Sequence, residues 1–161
     1  MHLSNPSLLV MACSATKRPS RALMPAIERY DGVMWRTLRA ALAELSEAAR
    51  QSVNVWFLSA RYGFQRAEMP IAFYEDRLTP KRANELLHLP TSNHVAFATE
   101  ALAASRILLA GGAVYRETMR RAIGRQFGIS ETDGGGIGYH RQQLREWLAT
   151  GTARPAPCLA I

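Results

Sequence analysis

Three short, predominantly apolar runs stand out along the chain, at residues 8–12, 53–58 and 106–110. None of them alternates apolar with polar positions, which is typical of strands covered on both faces of a parallel sheet. The pattern therefore predicts a mostly parallel sheet of three to four strands.

Helical periodicity fills the intervals between these runs. Residues 33–50 carry an apolar stripe, a helix begins at Thr79-Pro80 and breaks at Pro90, and Thr91 starts another that reaches about residue 105. Two more helices are predicted at residues 113–127 and 139–149. Strands that alternate with helices favour an α/β fold, and right-handed crossovers put helices on both faces of the sheet. The expected architecture is a three-layer, Rossmann-like sandwich.

The length of 161 residues and the 48% hydrophobic content are those of one globular domain. We assign residues 1–150 to this α/β domain and residues 151–161 to an extended tail, since the tail contains glycine and prolines. No signal peptide or membrane span is indicated. Two cysteines, Cys13 and Cys158, are too few for a disulfide framework, so a cytoplasmic location is expected.

Basic residues outnumber acidic ones by 20 to 13, which gives a formal net charge of +7. This balance favours polyanionic partners such as nucleic acids or nucleotides, or it reflects a solvated arginine-rich surface. Arginines concentrate late in the chain, and the candidates for a nucleic-acid-binding face are Arg116, Arg120, Arg121, Arg125 and Arg141. Such runs are also common on exposed helix surfaces.

The first predicted strand ends in a segment with hydroxyl groups and cations, which includes Cys13, Ser14 and Lys17. It suits a phosphate or another oxyanion, although it lacks the glycines of a P-loop. The alternative is a polar turn with a structural cysteine. Cys13 is also a candidate nucleophile, because nearby cations lower a thiol pKa.

The second predicted strand ends in Ser59, Arg61, Tyr62 and Gly63, and a segment with Phe73, Tyr74 and Glu75 follows. A carboxylate close to aromatic rings and an arginine can position a water or stabilise a cationic sugar, so Glu75 is the preferred catalytic carboxylate. Tyr62 and Tyr74 are candidate stacking platforms for a base. Phe73 is expected in the core.

Glycines follow the third strand at Gly111 and Gly112, just before Tyr115, and a glycine-rich loop at residues 134–138 includes Gly136 and Gly138. Such positions let a ligand approach the backbone, although the second loop is alternatively only mobile. The four histidines show no metal-ligand spacing, so neither a metal nor a cofactor is indicated.

Several of these segments together resemble one family. The motifs are Cys-Ser-x-x-Lys at residues 13–17, Leu-Ser-Ala-x-Tyr-Gly at 58–63, Pro-Ile-x-x-Tyr-Glu at 70–75, and the later glycines. In this order they resemble small bacterial and phage domains related to the YaaA peroxide-stress family. The resemblance implies an α/β core like that of uracil-DNA glycosylases and a link to nucleic acids. Its implied site comprises Cys13, Ser14, Lys17, Ser59, Arg61, Tyr62, Gly63, Tyr74 and Glu75, shaped by Gly111, Gly112, Gly136 and Gly138.

Three functions remain open on the sequence. The preferred one is a domain that binds a nucleobase, nucleotide or nucleic acid. As an enzyme it would cleave or exchange an N-glycosidic bond, with Glu75, Tyr62 and Cys13 as catalytic candidates. The second is a non-catalytic DNA-binding stress protein. The third is a small-nucleotide hydrolase or sensor that seats phosphate at residues 13–17. In the first case we expect Cys13, Ser59, Tyr62, Glu75, Gly111 and Gly136 to converge on one pocket.

Overall fold

A five-stranded central sheet organises the protein in the computed structural model, which describes residues 5–89, 91–124 and 127–151. The strands are β1 (Ser7–Ala12), β2 (Met24–Pro25), β3 (Val53–Ser59), β4 (Gly63–Arg66), β5 (Pro70–Ile71), β6 (Ile107–Ala110) and β7 (Ile129–Glu131). The helices are α1 (Ala26–Arg29), α2 (Val33–Glu44), α3 (Glu47–Gln51), α4 (Pro80–His88), α5 (Ser92–Ala103), α6 (Ala113–Ile123) and α7 (Ile137–Thr150).

The sheet has the strand order β4-β3-β1-β6-β7, in which only β4 is antiparallel to its neighbour. The prediction of a mostly parallel sheet is confirmed, but the predicted number of three to four strands is too low. Two short strands were missed. The tight return after β3, where Gly63 has a φ of 65°, produces β4. The other, β7, has three residues and shows no apolar run.

Both faces of the sheet are covered by apolar packing, as the predominantly apolar strands predict. On one face, Leu8 and Val10 pack with residues of α4, α5 and α6 such as Phe97. On the other face, Leu9 and Met11 pack with residues of α1, α2 and α7 such as Leu38. Each of these six side chains is at most 1% exposed. Alternate residues of β1 therefore anchor two separate clusters of helices.

The chain passes from β1 to β3 on one side of β1, and later crosses to β6 on the other side. The direction in which strands are added therefore reverses at β1. In open α/β sheets, ligands bind at such a reversal, outside the carboxyl ends of the strands. The carboxyl ends of β1 and β6 lead into Cys13 and Gly111, respectively. This edge of the sheet is therefore the place to examine for a site.

Three predicted helix boundaries need correction. The helix expected at residues 33–50 breaks at Ser46, whose hydroxyl accepts a hydrogen bond from Ala49 N–H and starts α3. The helix expected to reach residue 127 ends at Ile123, followed by Gly124 in the left-handed conformation. The last helix starts at Ile137 rather than residue 139, so Gly138 is helical. By contrast, Thr79 and Thr91 cap α4 and α5 as predicted.

A separate two-stranded sheet joins β2 to β5 and brings the segment before Glu75 next to the loop after β1. Here the expectation for Phe73 is wrong, since this residue is 46% exposed, whereas its neighbour Tyr74 is 3% exposed and belongs to the core. The short β5 turns Ile71 inward, and the extended chain after it then buries Tyr74 rather than Phe73.

Candidate functional site

Two adjacent cavities open at the carboxyl ends of β1 and β6. One, of about 580 Å³, is called here the polar cavity and is lined by Cys13, Ser14, Ala15, Lys17, Glu75, Asp76, Arg77, Leu78 and Tyr115. The other, of about 530 Å³, is called the helix-terminus cavity. Both are lined by Cys13, Ser14, Ala15 and Tyr115. The two cavities therefore form one cleft with a common wall.

The polar cavity contains charges of both signs. Lys17 and Arg77 line it together with Glu75 and Asp76, so its lining has no net formal charge. Asp76 also forms an ion pair with Arg61, 3.7 Å away. A mixed lining of this kind suits neutral ligand groups that donate and accept hydrogen bonds, such as a sugar or a base edge.

Lys17 is held at the inner side of the polar cavity. Its Nζ lies 4.4 Å from the centre of the Tyr74 ring, within the range of a cation–π interaction. Its backbone forms a bridge with Tyr30. Burial lowers the pKa of the Lys17 ammonium from 10.5, against the opposing influence of Cys13, Glu75 and Asp76. Lys17 is therefore a stronger proton donor than an exposed lysine.

The helix-terminus cavity takes its name from the starts of three helices. The N-cap glycines of α2, α6 and α7 all line it, together with the ends of β1 and β6. These N-caps are Gly32, Gly112 and Gly136. The first N–H groups of a helix have no partner within the helix, and the helix dipole makes this end positive. No carboxylate lines the cavity. It is consequently suited to an anion.

The caps of these three helices differ from those of their neighbours. At α2, α6 and α7 the N-cap is glycine, no side chain caps the helix, and the first turn has no acidic residue. At α3, α4 and α5 a serine or threonine hydroxyl accepts a hydrogen bond from the first turn. The helices that start at the cavity thus leave their N–H groups to whatever occupies it, while the others satisfy one internally.

Thr132 links two parts of the chain that line the helix-terminus cavity. Its buried hydroxyl accepts a hydrogen bond from Gly111 N–H at 3.2 Å and lies 2.8 Å from His140 Nδ1. His140 lines the helix-terminus cavity. Since Nδ1 of His140 contacts Thr132, Nε2 is the ring nitrogen left to bind a ligand. Thr132 was not predicted as a site residue, because its partners lie 21 and 8 residues away.

Two glycines allow close packing around the cleft. At Gly111, where φ is 150°, a Cβ would lie 2.4 Å from the Cβ of Ala12. At Gly32, a Cβ would lie 2.2 Å from Ser14 Oγ. Larger side chains at either position would displace the end of β1 or the segment that follows it. Gly111 was a predicted site residue but Gly32 was not, although a glycine before an amphipathic helix is an N-cap signal.

A buried tyrosine cluster lies beneath the polar cavity. The hydroxyls of Tyr30 and Tyr74 are hydrogen-bonded to each other. The buried Ser59 hydroxyl accepts a hydrogen bond from Tyr62 N–H at 2.8 Å. Burial raises the pKa of Tyr30 and of Tyr74 well above 10. The Tyr62 ring packs edge-on to Tyr74, and its hydroxyl accepts a hydrogen bond from Ala72 N–H at 3.1 Å. These groups support the floor of the site.

Arg29 ties the loops around the cleft together. Its side chain is fully buried, and its guanidinium donates to the carbonyls of Arg18, Ser20, Ala22 and Ile71. The loop after β1 and the strand that precedes Glu75 are therefore linked through one side chain. Arg29 was not predicted, because nothing local distinguishes it from the surface arginines.

The structure brings most of the predicted site residues together. Those that line the cleft are Cys13, Ser14, Lys17, Glu75, Gly111, Gly112, Tyr115 and Gly136. Ser59, Tyr62 and Tyr74 lie below it and line neither cavity. The predicted residues therefore do not share a single pocket: Cys13 lines both cavities, Glu75 only the polar cavity, and Gly111 and Gly136 only the helix-terminus cavity. Arg61 is on the surface, Gly63 forms the turn into β4, and Gly138 lies in α7.

The late arginines do not form one open cationic face. Arg120 donates two hydrogen bonds of 2.9 Å to the Glu131 carboxylate, and Arg116 lies 3.9 Å from the same group. Arg121 donates to Asn84 Oδ1. Arg141 Nε donates to Thr37 Oγ1 on the opposite side of the sheet from α6, and Arg125 lies outside the described residues. A shared role in nucleic-acid binding stays a prediction for this set.

Among the described residues, no group of three or more histidine, cysteine, aspartate or glutamate side chains could hold a metal ion. No helix in this part of the chain is long and apolar enough to cross a membrane. Comparison with known proteins leaves the cleft as the main guide to function. No model of a known protein family matches the chain, and neither the curated proteins nor the solved structures contain a match.

Proposed function

We propose that this protein binds a nucleotide in the cleft and cleaves its N-glycosidic bond. The observation that carries the proposal is the helix-terminus cavity, where three uncapped helix N-termini meet and no carboxylate intervenes. Backbone N–H groups at such positions bind phosphate in many nucleotide-binding folds. The +7 formal charge agrees with an anionic ligand.

In the proposed complex the phosphate occupies the helix-terminus cavity, where His140 Nε2 adds a further donor. The sugar lies against the common wall formed by Cys13 and Tyr115. The base extends into the polar cavity, whose mixed lining can hydrogen-bond to its edge. The charges of the two cavities thus distinguish the phosphate position from the base position, since the carboxylates Glu75 and Asp76 line only the polar cavity.

The proposed reaction uses Glu75 and Lys17, which line the same cavity. Glu75 accepts a proton from water as the water oxygen bonds to the anomeric carbon. The bond from this carbon to the base nitrogen breaks, and the Lys17 ammonium protonates the departing base. A carboxylate also stabilises the positive charge that develops on the sugar. The lowered pKa of Lys17 favours this transfer.

Three further parts of the proposal concern context. We propose that the sheet and its two helical clusters form a three-layer, Rossmann-like sandwich and that the resemblance to YaaA-related domains reflects kinship. A cytoplasmic location remains an expectation from the cysteine content. If the protein binds nucleotides without cleaving them, the same cleft serves a non-catalytic role.

Gly112 provides the sharpest test of the anion seat. Its φ of −68° is available to any residue, and a Cβ there would meet no atom within 4 Å. Gly112→Asp places a carboxylate at the N-cap of α6, which satisfies the helix but repels a phosphate. We expect unchanged or higher thermal stability and a loss of nucleoside-monophosphate affinity of about 100-fold. Calorimetric titration measures the affinity.

The matched control is Gly112→Ala, which adds a side chain of similar position without charge. Its affinity for the nucleoside monophosphate should be within about threefold of the wild-type value, which is a difference in binding free energy of less than about 1 kcal/mol. The unphosphorylated nucleoside should show no difference between the aspartate and alanine variants. Equal nucleotide affinity in the aspartate variant and the wild type would remove the phosphate from this cavity.

A further inference from the structure

A third cavity, of about 400 Å³, runs between α2 and α7 and is called here the arginine groove. It is lined by Val33, Arg36, Thr37, Ala40, Arg141 and Arg145. Three of these six residues are cationic, and no acidic residue lines the groove. The groove is therefore the most uniformly basic of the cavities described above.

The arginines of the groove differ from those of α6 in their partners. Among the described residues, no carboxylate forms an ion pair with Arg36, Arg141 or Arg145. Arg36 and Arg145 are exposed. Arg120, by comparison, is bidentate on Glu131. The positive charge of the groove is thus available to an external anion.

The Arg141 side chain is held in an orientation that suits the binding of an anion. Its Nε donates a 2.9 Å hydrogen bond to Thr37 Oγ1, and the Thr37 hydroxyl in turn donates to Val33 O at 2.9 Å. Thr37 is buried, with 4% exposure. The guanidinium is held by its Nε, which leaves the two terminal nitrogens to bind an oxyanion.

The groove continues directly from the helix-terminus cavity. Val33, the first residue of α2, lines both. From Val33 to Ala40 the groove follows α2 for about 10 Å, given the rise of about 1.5 Å per helical residue. A ligand whose phosphate occupies the helix-terminus cavity can therefore extend further charged groups along the arginines.

We propose that the arginine groove binds the phosphate backbone of a single-stranded polynucleotide whose reacting nucleotide occupies the cleft. The inference rests on the proposed function and names its substrate class. Successive phosphates of a stacked strand lie roughly 3.4 Å apart along its axis, so a groove of about 10 Å spans two or three of them. A nucleotide enclosed by the cleft must be unpaired, which favours a single strand over a duplex.

The experiment compares Arg36→Gln/Arg145→Gln with a charge-matched control, Arg21→Gln/Lys81→Gln, whose two residues are exposed and lie outside the groove and the cleft. The probes are thymidine monophosphate, thymidine triphosphate and a thymidine tetranucleotide. Affinity is measured by calorimetry over a range of salt concentrations. Thermal unfolding verifies that both double variants fold.

The wild type should bind the tetranucleotide at least about tenfold more tightly than the monophosphate, because additional phosphates release counterions. The groove variant should lose this difference, and its log-log salt slope should fall by about 1.4, which corresponds to two phosphate contacts at about 0.7 each. Its affinity for the monophosphate should not change. The control variant should retain the tetranucleotide preference.

Two results would overturn the proposal: equal affinity of the wild type for tetranucleotide and monophosphate, or equal losses in the groove and control variants. An effect of the groove variant on the triphosphate but not on the tetranucleotide would also overturn it, in favour of a polyphosphate ligand. Failure of the proposed function gives a different result. The wild type would then not bind the monophosphate, while its affinity for the tetranucleotide would still depend on Arg36 and Arg145.

Discussion

The Cys13 thiol lies 3.1 Å from the hydroxyl of Tyr115, and the two side chains meet in the wall shared by both cavities. Cys13 follows β1 and Tyr115 lies in the first turns of α6, 102 residues later. Burial, reinforced by Cys13, raises the pKa of Tyr115 above its usual value of 10, so its hydroxyl stays protonated at neutral pH. A ligand that spans the cleft must pass this pair.

Ligand protection of Cys13 is the first prediction. Cys13 is half-buried and lines both cavities, so a bound nucleotide should block its alkylation. At a nucleotide concentration ten times Kd, the alkylation rate should fall about tenfold, because only the free protein reacts. The measurement uses mass spectrometry on a Cys158→Ser background. The Gly112→Asp variant should show no protection, and an unchanged rate in a protein that demonstrably binds would place the ligand elsewhere.

The second prediction concerns catalysis by Glu75. Glu75→Gln keeps the shape and removes the charge, so the turnover for base release should fall by about 100-fold while nucleotide affinity is retained. The control is Asp76→Asn in the same cavity, since Asp76 pairs with the exposed Arg61 and should alter turnover only a few-fold. The assay follows free base released from nucleotides, single-stranded DNA and RNA. No release by the wild type from any of them would make this a binding protein.

Neighbouring glycines give the third prediction. Gly111→Ala places a Cβ 2.4 Å from that of Ala12 at a φ of 150°, so the free energy of unfolding should fall by about 2 kcal/mol or more. Gly112→Ala meets open space at an ordinary φ and should change it by about 0.5 kcal/mol or less. Denaturant unfolding compares the two variants. Similar losses would mean that the close approach of β6 and β1 at this edge is not rigid.

The fourth prediction is a loss of stability in alkali. Burial raises the pKa values of Tyr30, Tyr74 and Tyr115 above 10 in the folded state. Below pH 10 both states hold these protons, so stability does not depend on them. Above pH 10 the unfolded state ionises first, and the free energy of unfolding should fall as the pH rises towards the folded pKa values. The lowered pKa of Lys17 has the opposite effect on stability. The folded state releases this proton before the unfolded state does, so this group raises the free energy of unfolding as the pH approaches 10.5 and not above it.

Tyrosinate absorbance measures this effect. Of the five tyrosines in the sequence, these three should ionise only as the protein unfolds, while far-ultraviolet circular dichroism reports unfolding. Tyr74→Phe should make the decline in stability with pH less steep, because one raised pKa is removed. Ionisation of all five tyrosines in the folded protein would contradict the buried cluster.

The sequence by itself determined the elements that depend on local chemistry. Predominantly apolar runs without alternation specified β1, β3 and β6, because strands buried on both faces need apolar residues at most positions. Thr79 and Thr91 marked helix starts, because their hydroxyls cap the first turn of the same helix. These elements also placed Cys13 and Gly111 at the carboxyl edge of a parallel sheet, and hence near a site.

Only the tertiary structure decided which polar side chains face the cleft and which support it. Ser59 and Tyr62 follow a strand just as Cys13 does, yet the return through Gly63 and the packing of Tyr74 place them beneath the cavity floor. Arg29, Arg36 and Arg120 look alike in sequence. Burial among four carbonyls, exposure in a carboxylate-free groove and pairing with Glu131 give them three different roles. Those surroundings are assembled from distant parts of the chain, so local periodicity and spacing carry no record of them.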